Sequence, residues 1–154
     1  MRASPAAAVI VLVLAGCSTQ PTKSPCEGLV YTDAGLTREQ YAPCAKAMVG
    51  QLDEIYTAVE TILDKSLPKQ ERMRARTACL KASSDLARLM KQAGGTYKLM
   101  HMAWDDTALS RFNRDVESAR SSYFLYCYYG AVGPPLSGID SSHGDAKSFA
   151  STLP

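Results

Sequence analysis

The sequence predicts an all-α fold, a small up-down-up bundle of three long helices with two disulfides and room for a fourth, short helix. Three observations predict it. Apolar residues recur in steps of three and four along three segments, Gly and Pro residues separate these segments, and four of the five cysteines lie from residue 26 onward. A helical core held by cystines follows from these patterns together.

The N-terminal segment has the features of a sorting signal. Arg2 precedes an uncharged apolar run from Ala6 to Ala15, which is too short to cross a bilayer because a spanning helix needs about 20 residues. The next residues complete the sequence Leu-Ala-Gly-Cys at 14–17, which resembles the lipobox of bacterial lipoproteins. An ordinary secretory signal with an incidental cysteine is the alternative interpretation.

The lipobox resemblance implies a location for the protein. Residues 1–16 would be a signal peptide, and the Cys17 thiol would carry a diacylglycerol, with a further acyl chain such as palmitate on the new amino terminus. Two or more chains hold a protein stably on a membrane. Ser18 stands where an Asp favours the inner membrane in similar Gram-negative lipoproteins. We therefore expect a lipid-anchored protein at the outer membrane, facing the periplasm.

The remaining chain is long enough for one domain. Residues 17–36 are expected to form a lipidated tether and N-terminal segment, and residues 37–130 the helical bundle. Residues 131–154 are rich in Ser, Gly and Asp with few large apolar side chains, which predicts a flexible tail. The formal net charge of +2 gives no reason to expect a nucleic-acid partner.

The first predicted helix has a clear start. Thr37 and Gln40 match a capping box, and Leu36 and Tyr41 stand where a hydrophobic staple would close the same turn. Apolar residues then recur at helical spacing from Tyr41 to Ile62. Pro43 lacks a backbone donor, so we expect either a kink or a main helix that begins at Pro43.

Two further helices follow. Ser66 is placed to cap the second helix, with Pro68 in its first turn, and the stripe that begins at Ala75 ends before Gly94-Gly95. Residues 96–104 fit either a short helix or a packed connector. Asp105 is placed to cap the third helix, whose apolar stripe runs from Leu109 to Tyr126 and which stops at Gly130.

The four cysteines outside the lipobox are Cys26, Cys44, Cys79 and Cys127. An even number in an exported chain predicts two disulfides, with three possible connectivities. In the bundle Cys44 lies near one end, whereas Cys79 and Cys127 lie toward the other. A disulfide joins Cα atoms only about 4.4–6.8 Å apart, so the expected pairs are Cys26–Cys44 and Cys79–Cys127.

Two surfaces are candidates for binding a partner. The segment YFLYCYY at 123–129 holds more aromatic residues than one buried helical stripe needs, so some must face outward. Its tyrosines are Tyr123, Tyr126, Tyr128 and Tyr129. Packing of the whole cluster in the core is the alternative.

The second helix carries the other candidate surface, a basic face that comprises Lys69, Arg72 and Arg76. It could meet an acidic partner or anionic lipid. The alternative is that this basic helix simply attracts the acidic first helix.

Catalytic and metal motifs are missing from the sequence. No Gly-x-Ser-x-Gly, His-Glu-x-x-His, P-loop or Cys-x-x-Cys is present. Asp105 and Asp106 are explained as helix caps. The stretch from Met100 to Met102 offers copper(I) ligand types, but neighbouring residues cannot easily close around one ion, so we expect core methionines instead. We expect no enzyme activity, cofactor or metal.

These features favour a non-catalytic, lipid-anchored module that binds another protein of the cell envelope. In broad plan it looks like the pilotins, small helical lipoproteins of secretion channels, although the likeness carries over no binding residue. Two alternatives stay open. One is a carrier of a small apolar ligand, in a cavity lined by Met48, Leu86 and Phe112. The other is a periplasmic inhibitor or immunity protein.

Overall fold

The structure, a computed structural model, describes residues 23–29, 37–94, 107–130 and 136–154. Within these ranges the secondary structure is all helical: α1 Arg38–Leu63, α2 Lys69–Gln92, α3 Thr107–Tyr129 and α4 Leu136–Ser151. The first three lie where the apolar periodicity predicts helices. None of the helices in the described ranges is long and apolar enough to cross a membrane. Several predictions concern residues outside these ranges: the expected signal peptide, Cys17, Leu36, residues 96–104 and the expected caps Asp105 and Asp106.

The predicted capping box begins α1. The Gln40 amide N–H donates to the Thr37 hydroxyl over 3.2 Å, and the Thr37 N–H donates to the Gln40 side chain over 3.1 Å. Two of the N–H groups that a helix start leaves unpaired are thereby satisfied. The helix runs on through Pro43, which is exposed, so the alternative of a main helix beginning at Pro43 is wrong. Pro43 removes one backbone hydrogen-bond donor near the exposed start of α1, and the helix tolerates this loss.

The turn between α1 and α2 differs from the prediction. Ser66 does not cap α2; Pro68 occupies the cap position, and its carbonyl accepts from the Glu71 and Arg72 amides. The Ser66 amide and hydroxyl instead donate to the Asp64 carboxylate over 2.8 and 2.6 Å. These two hydrogen bonds lower the pKa of Asp64 below its usual range.

Glycine ends α3 as predicted. Gly130 has φ +80°, a backbone conformation that favours glycine, and its N–H donates to the Tyr126 carbonyl over 2.9 Å. A side chain at this position would strain the backbone. The last turn of α3 therefore has a fixed end, which matters for the surface described below.

The core lies mainly where the apolar stripes of the first three helices predict it. Its largest fully buried side chains include Tyr41, Met48, Leu52, Ile55, Leu86, Phe112, Val116 and Tyr123. Their spacing in each helix is the three-and-four pattern of a single inward face. The Tyr41 hydroxyl reaches across from α1 and donates to the buried Asn113 amide oxygen on α3 over 2.6 Å, so this polar pair is satisfied inside the core.

Both predicted disulfides are present. Cys26–Cys44 has a Cα–Cα distance of 4.7 Å, and Cys79–Cys127 has one of 5.5 Å. The first ties the segment before α1 to the start of that helix. The second joins α2 to the last turn of α3. The connectivity that the bundle geometry favours is confirmed.

The expectation of a flexible tail is wrong, because residues 136–151 form α4. Ile139, His143, Ala146 and Ala150 are buried at steps of four, three and four, which is one face of a helix. Two of these are alanines and one is a histidine, so composition alone conceals the stripe. Phe149 adds a ring contact with Phe112, with centroids 5.3 Å apart.

The contacts identify which parts of the helices share each end of the bundle. At the end that holds Cys26–Cys44, the Ser24 hydroxyl donates to Gln92 at the close of α2 over 2.6 Å, and Lys46 donates to the Pro154 carbonyl over 2.8 Å. At the opposite end, Ile62 of α1, Lys69 of α2 and Gly130 lie around one cavity. We call this opposite end the far end.

Candidate functional site

The far end exposes large apolar side chains on the last turns of α3. Phe124, Tyr128 and Tyr129 are 38%, 51% and 62% exposed, and we call these three residues the aromatic ledge. The Phe124 and Tyr128 rings stack with centroids 5.8 Å apart, and the Tyr128 and Tyr129 rings meet edge to face at 4.8 Å. Exposed aromatic rings that support one another in this way lose little freedom on binding, which is typical of interface residues.

Two of the four tyrosines that were predicted to bind a partner belong to the core instead. Tyr123 and Tyr126 are buried, because their positions continue the inward stripe of Val116 and Ala119 at helical spacing. Tyr128 and Tyr129 fall on the other side of the helix. The sequence interpretation therefore identified the exposed pair but missed Phe124, which is one turn before Tyr128.

Arg76 brings the basic face of α2 to the ledge. Its guanidinium donates to the Cys127 carbonyl over 2.9 Å and to the Tyr128 carbonyl. These are carbonyls at the C-terminal end of α3, where the helix dipole favours a cation. The two surfaces that the sequence analysis treated separately are thus parts of one site.

A cavity of about 240 Å³ lies beside the ledge. It is lined by Ile62, Lys69, Arg72, Met73, Arg76 and Gly130, and we call it the basic pocket. Met73 is 51% exposed and lies between Lys69 and Arg76 on one face of α2, at steps of four and three. The same spacing is visible in the sequence, and it places Met73 on the basic face, although the sequence prediction did not include this residue.

Attraction to the acidic α1, the alternative explanation of the basic face, makes a minor contribution, since Glu54 of α1 raises the pKa of Lys81 on α2 as a lesser cause. Asp53 of α1 pairs with Lys147 on α4 over 2.9 Å, and Asp64 accepts its hydrogen bonds from Ser66. The positive charge of Arg72 also lowers the pKa of Asp64, but by less than the two hydrogen bonds from Ser66 do. The basic face is thus turned toward the pocket and solvent.

A second polar feature joins three helices through a buried histidine, whose carboxylate partner has a side chain that is 42% exposed. His143 of α4 is 7% exposed; its Nε2 lies 3.0 Å from the Asp53 carboxylate on α1, and its Nδ1 lies 3.1 Å from the Tyr123 hydroxyl on α3. Because a carboxylate only accepts, Nε2 carries the proton that is donated to Asp53. The Tyr123 hydroxyl also donates to the Asp140 carboxylate over 3.4 Å. We call His143, Asp53 and Tyr123 the buried network.

The buried network holds α4 against the rest of the bundle. Burial raises the pKa of the Tyr123 hydroxyl, so it stays protonated and remains a donor. The His143 ring also contacts the rings of Tyr56 and Tyr123, at 5.6 and 5.8 Å. The His143 ring and the Tyr123 hydroxyl are shielded from solvent, so these groups are suited to joining helices. Tyr123 lies on the buried face of α3, the helix whose exposed face carries the aromatic ledge.

The other candidate chemistries gain no support. The described residues include no cluster of three or more His, Cys, Asp or Glu side chains arranged to hold a metal ion. Met48, Leu86 and Phe112, which the carrier hypothesis placed around a cavity, are packed in the core. An open groove of about 500 Å³ between α1 and α2 is lined by other residues, among them Asp53, Thr57 and Ala75.

Comparisons with protein-family models, with curated proteins and with solved structures found no match to this chain.

Proposed function

We propose that this protein is a lipid-anchored lipoprotein of the bacterial cell envelope that binds another envelope protein and catalyses no reaction. The proposed form is an up-down-up course of the three long helices, with α4 packed beside them. The lipid on Cys17 would hold the protein at the outer membrane, facing the periplasm, and the far end would carry the binding surface. A pilotin or an accessory subunit of an envelope complex acts in this manner.

Two observations support the envelope location. The lipobox at 14–17 provides the acylation site, and the disulfides Cys26–Cys44 and Cys79–Cys127 suit an oxidising compartment such as the periplasm. The first of these disulfides also sets the direction of the tether. It ties the chain that follows Cys17 to the start of α1, so the lipid would lie toward that end.

The aromatic ledge carries the proposal of protein binding. Monomeric proteins rarely expose adjoining large aromatic rings unless the patch has a function. The ledge adjoins cationic side chains, and Tyr and Arg are enriched among the residues that dominate interface energies. From Cys44 to Ile62, α1 rises about 27 Å, so the ledge is held well away from the tethered end and accessible to a partner in the periplasm.

An inhibitor or immunity protein would use the same ledge, and the identity of the captured protein distinguishes that alternative. A foreign enzyme as the captured protein would favour the inhibitor, whereas a resident envelope subunit favours the accessory role. The carrier is less favoured, because Met48, Leu86 and Phe112 are packed in the core and do not line either of the two cavities described above.

Replacing Cys17 by Ser is expected to move the protein from the membrane to the soluble fraction, because serine offers no thiol to receive the diacylglycerol. Fractionation with immunoblotting, together with the mass of the mature chain, measures this. Ser18→Ala is the matched control, since it leaves the acylated residue in place and should stay with membranes. A Cys17→Ser protein that remains in the membrane fraction with its leader cut would contradict the lipid assignment.

Replacing Tyr128 and Tyr129 together by Ser is expected to leave helix content unchanged and to abolish capture of the partner. One interface aromatic of this kind contributes about 2 kcal/mol, which is about 30-fold in affinity, and loss of both should exceed that factor. A photo-crosslinking amino acid at Leu125, which is itself exposed, would report capture in intact cells.

The Tyr128→Phe/Tyr129→Phe protein is the matched control for the ledge. It keeps the ring area and removes only the hydroxyls, so capture should persist. Circular dichroism of each protein verifies that the total helix content is unchanged. Capture by the double serine variant at the level of the unaltered protein would remove the ledge from the proposal.

A further inference from the structure

The basic pocket has a donor that the described residues leave unsatisfied. Arg72 Nε is buried and has no hydrogen-bond acceptor among them. A buried donor without an acceptor is unfavourable, because it has given up water and gained nothing in return. The Arg72 side chain also lines the pocket, so an acceptor that binds its guanidinium there would add a hydrogen bond that the described residues do not supply.

The charges around the pocket define the acceptor. Lys69, Arg72 and Arg76 all line it, while Arg76 is already held by the carbonyls of Cys127 and Tyr128. Arg76 therefore supplies a fixed positive charge, and Arg72 and Lys69 supply donors that no acceptor within the described ranges occupies. An ionised acceptor forms stronger hydrogen bonds with such donors than a neutral one does.

The shape of the site favours a single side chain over a flat anionic surface. A cavity of about 240 Å³ can receive one side chain, and the planar guanidinium of Arg72 matches a carboxylate. Met73 on the pocket wall and the aromatic ledge next to Gly130 would then pack against apolar side chains beside that carboxylate. A lipid bilayer presents headgroups in a plane and cannot fill such a recess while it also covers the ledge.

We infer that the basic pocket binds an Asp or Glu carboxylate from an acidic segment of the partner protein, with a neighbouring apolar side chain of that segment on the aromatic ledge. This inference rests on the proposed function, because it names the chemistry of the partner at the same site. Arg72 binds the carboxylate, Lys69 adds charge at the rim, and Arg76 holds the end of α3 in position.

The test uses the purified, disulfide-bonded Cys17→Ser protein, which carries no lipid, and a randomised heptapeptide library displayed on phage. Selection is expected to enrich peptides with Asp or Glu next to a large apolar residue. Synthetic versions of these peptides should bind at least about tenfold more weakly to Arg72→Met protein, since methionine keeps the apolar stem and removes the charged donors. A Glu→Gln or Asp→Asn twin of each peptide should lose a similar factor.

Matched variants separate this effect from a general change of charge or fold. Arg74→Met removes a cation from an exposed position on the same helix that does not line the pocket, and binding should stay unchanged. Lys69→Gln, at an exposed position that contributes little to packing, should weaken binding about threefold. This second variant keeps the inference testable if Arg72→Met lowers stability.

Several outcomes would overturn the inference. Enriched peptides without an acidic residue, or equal binding by the unaltered and Arg72→Met proteins, would show that the pocket does not select a carboxylate. Binding to phosphatidylglycerol vesicles that depends on Arg72, with no acidic peptides enriched, would assign the pocket to a membrane instead. Any of these results can occur while crosslinking still depends on Tyr128 and Tyr129, in which case the proposed function stands and only the carboxylate assignment fails.

Discussion

Removing the Cys79–Cys127 disulfide by a double replacement with alanine is expected to lower the free energy of unfolding by about 4 kcal/mol. The two cysteines are separated by 48 residues, and in the chain-entropy model a loop of that size confers about this much stability. The loss is large beside the net stability of a small domain, about 5–15 kcal/mol. Denaturant unfolding of the double variant, followed by circular dichroism, measures it.

The Cys26–Cys44 disulfide provides the comparison. Its cysteines are separated by 18 residues, so the same model gives a smaller loss, of about 3 kcal/mol. The two disulfides also differ in what they hold, because Cys127 lies in the last turn of α3 next to the ledge residue Tyr128. Loss of Cys79–Cys127 should therefore weaken partner capture, whereas loss of Cys26–Cys44 should not. If both double variants had the same midpoint of denaturant unfolding as the unaltered protein, the loop-closure argument would be contradicted.

The fold of the first three helices follows from strong local signals. The capping box at Thr37 and Gln40 starts α1, Gly130 ends α3, and large apolar residues mark the inward face of each helix. The disulfide pairs could be predicted because a bundle leaves few cysteines within reach of one another. Each of these features depends either on a short stretch of chain or on which end of the bundle a residue lies at.

The helix α4 could not be predicted from the same kind of signal. Its buried face consists of Ile139, His143, Ala146 and Ala150, and a stripe of small and polar residues has a weak apolar period. What stabilises the helix is packing and hydrogen bonding to α1 and α3. Those partners lie far away in sequence, so composition pointed to a flexible tail instead.

The sequence could have predicted that the basic face and the exposed tyrosines lie next to each other. With Cys79 joined to Cys127, a residue one turn before Cys79 must lie near the end of α3, and that residue is Arg76. The basic face and the exposed tyrosines could thus have been placed together. The basic pocket itself could not, because its volume and the unsatisfied Arg72 Nε depend on how α1, α2 and Gly130 meet.

Replacing His143 by alanine is expected to lower the free energy of unfolding by about 3 kcal/mol, because it removes a buried ring and two hydrogen bonds at once. The Asp53 carboxylate would lose its buried donor, and the Tyr123 hydroxyl would lose the imidazole nitrogen that lies 3.1 Å away while keeping the Asp140 carboxylate at 3.4 Å. Denaturant unfolding measures the total. Hydrogen exchange at the amides of α4 should rise more than at those of α1, since His143 is buried and contacts both α1 and α3 from α4.

Lys147→Met is the matched control, because Lys147 also bonds Asp53 from α4 but its side chain is 61% exposed. An exposed ion pair contributes at most about 1 kcal/mol, so this variant should stay close to the unaltered protein in both measurements. Similar effects of the two variants would mean that the surface ion pair, and not the buried network, holds α4. A large effect of His143→Ala with slow exchange retained in α4 would mean instead that the histidine supports Tyr123 and the core of α3, with α4 held by its apolar contacts.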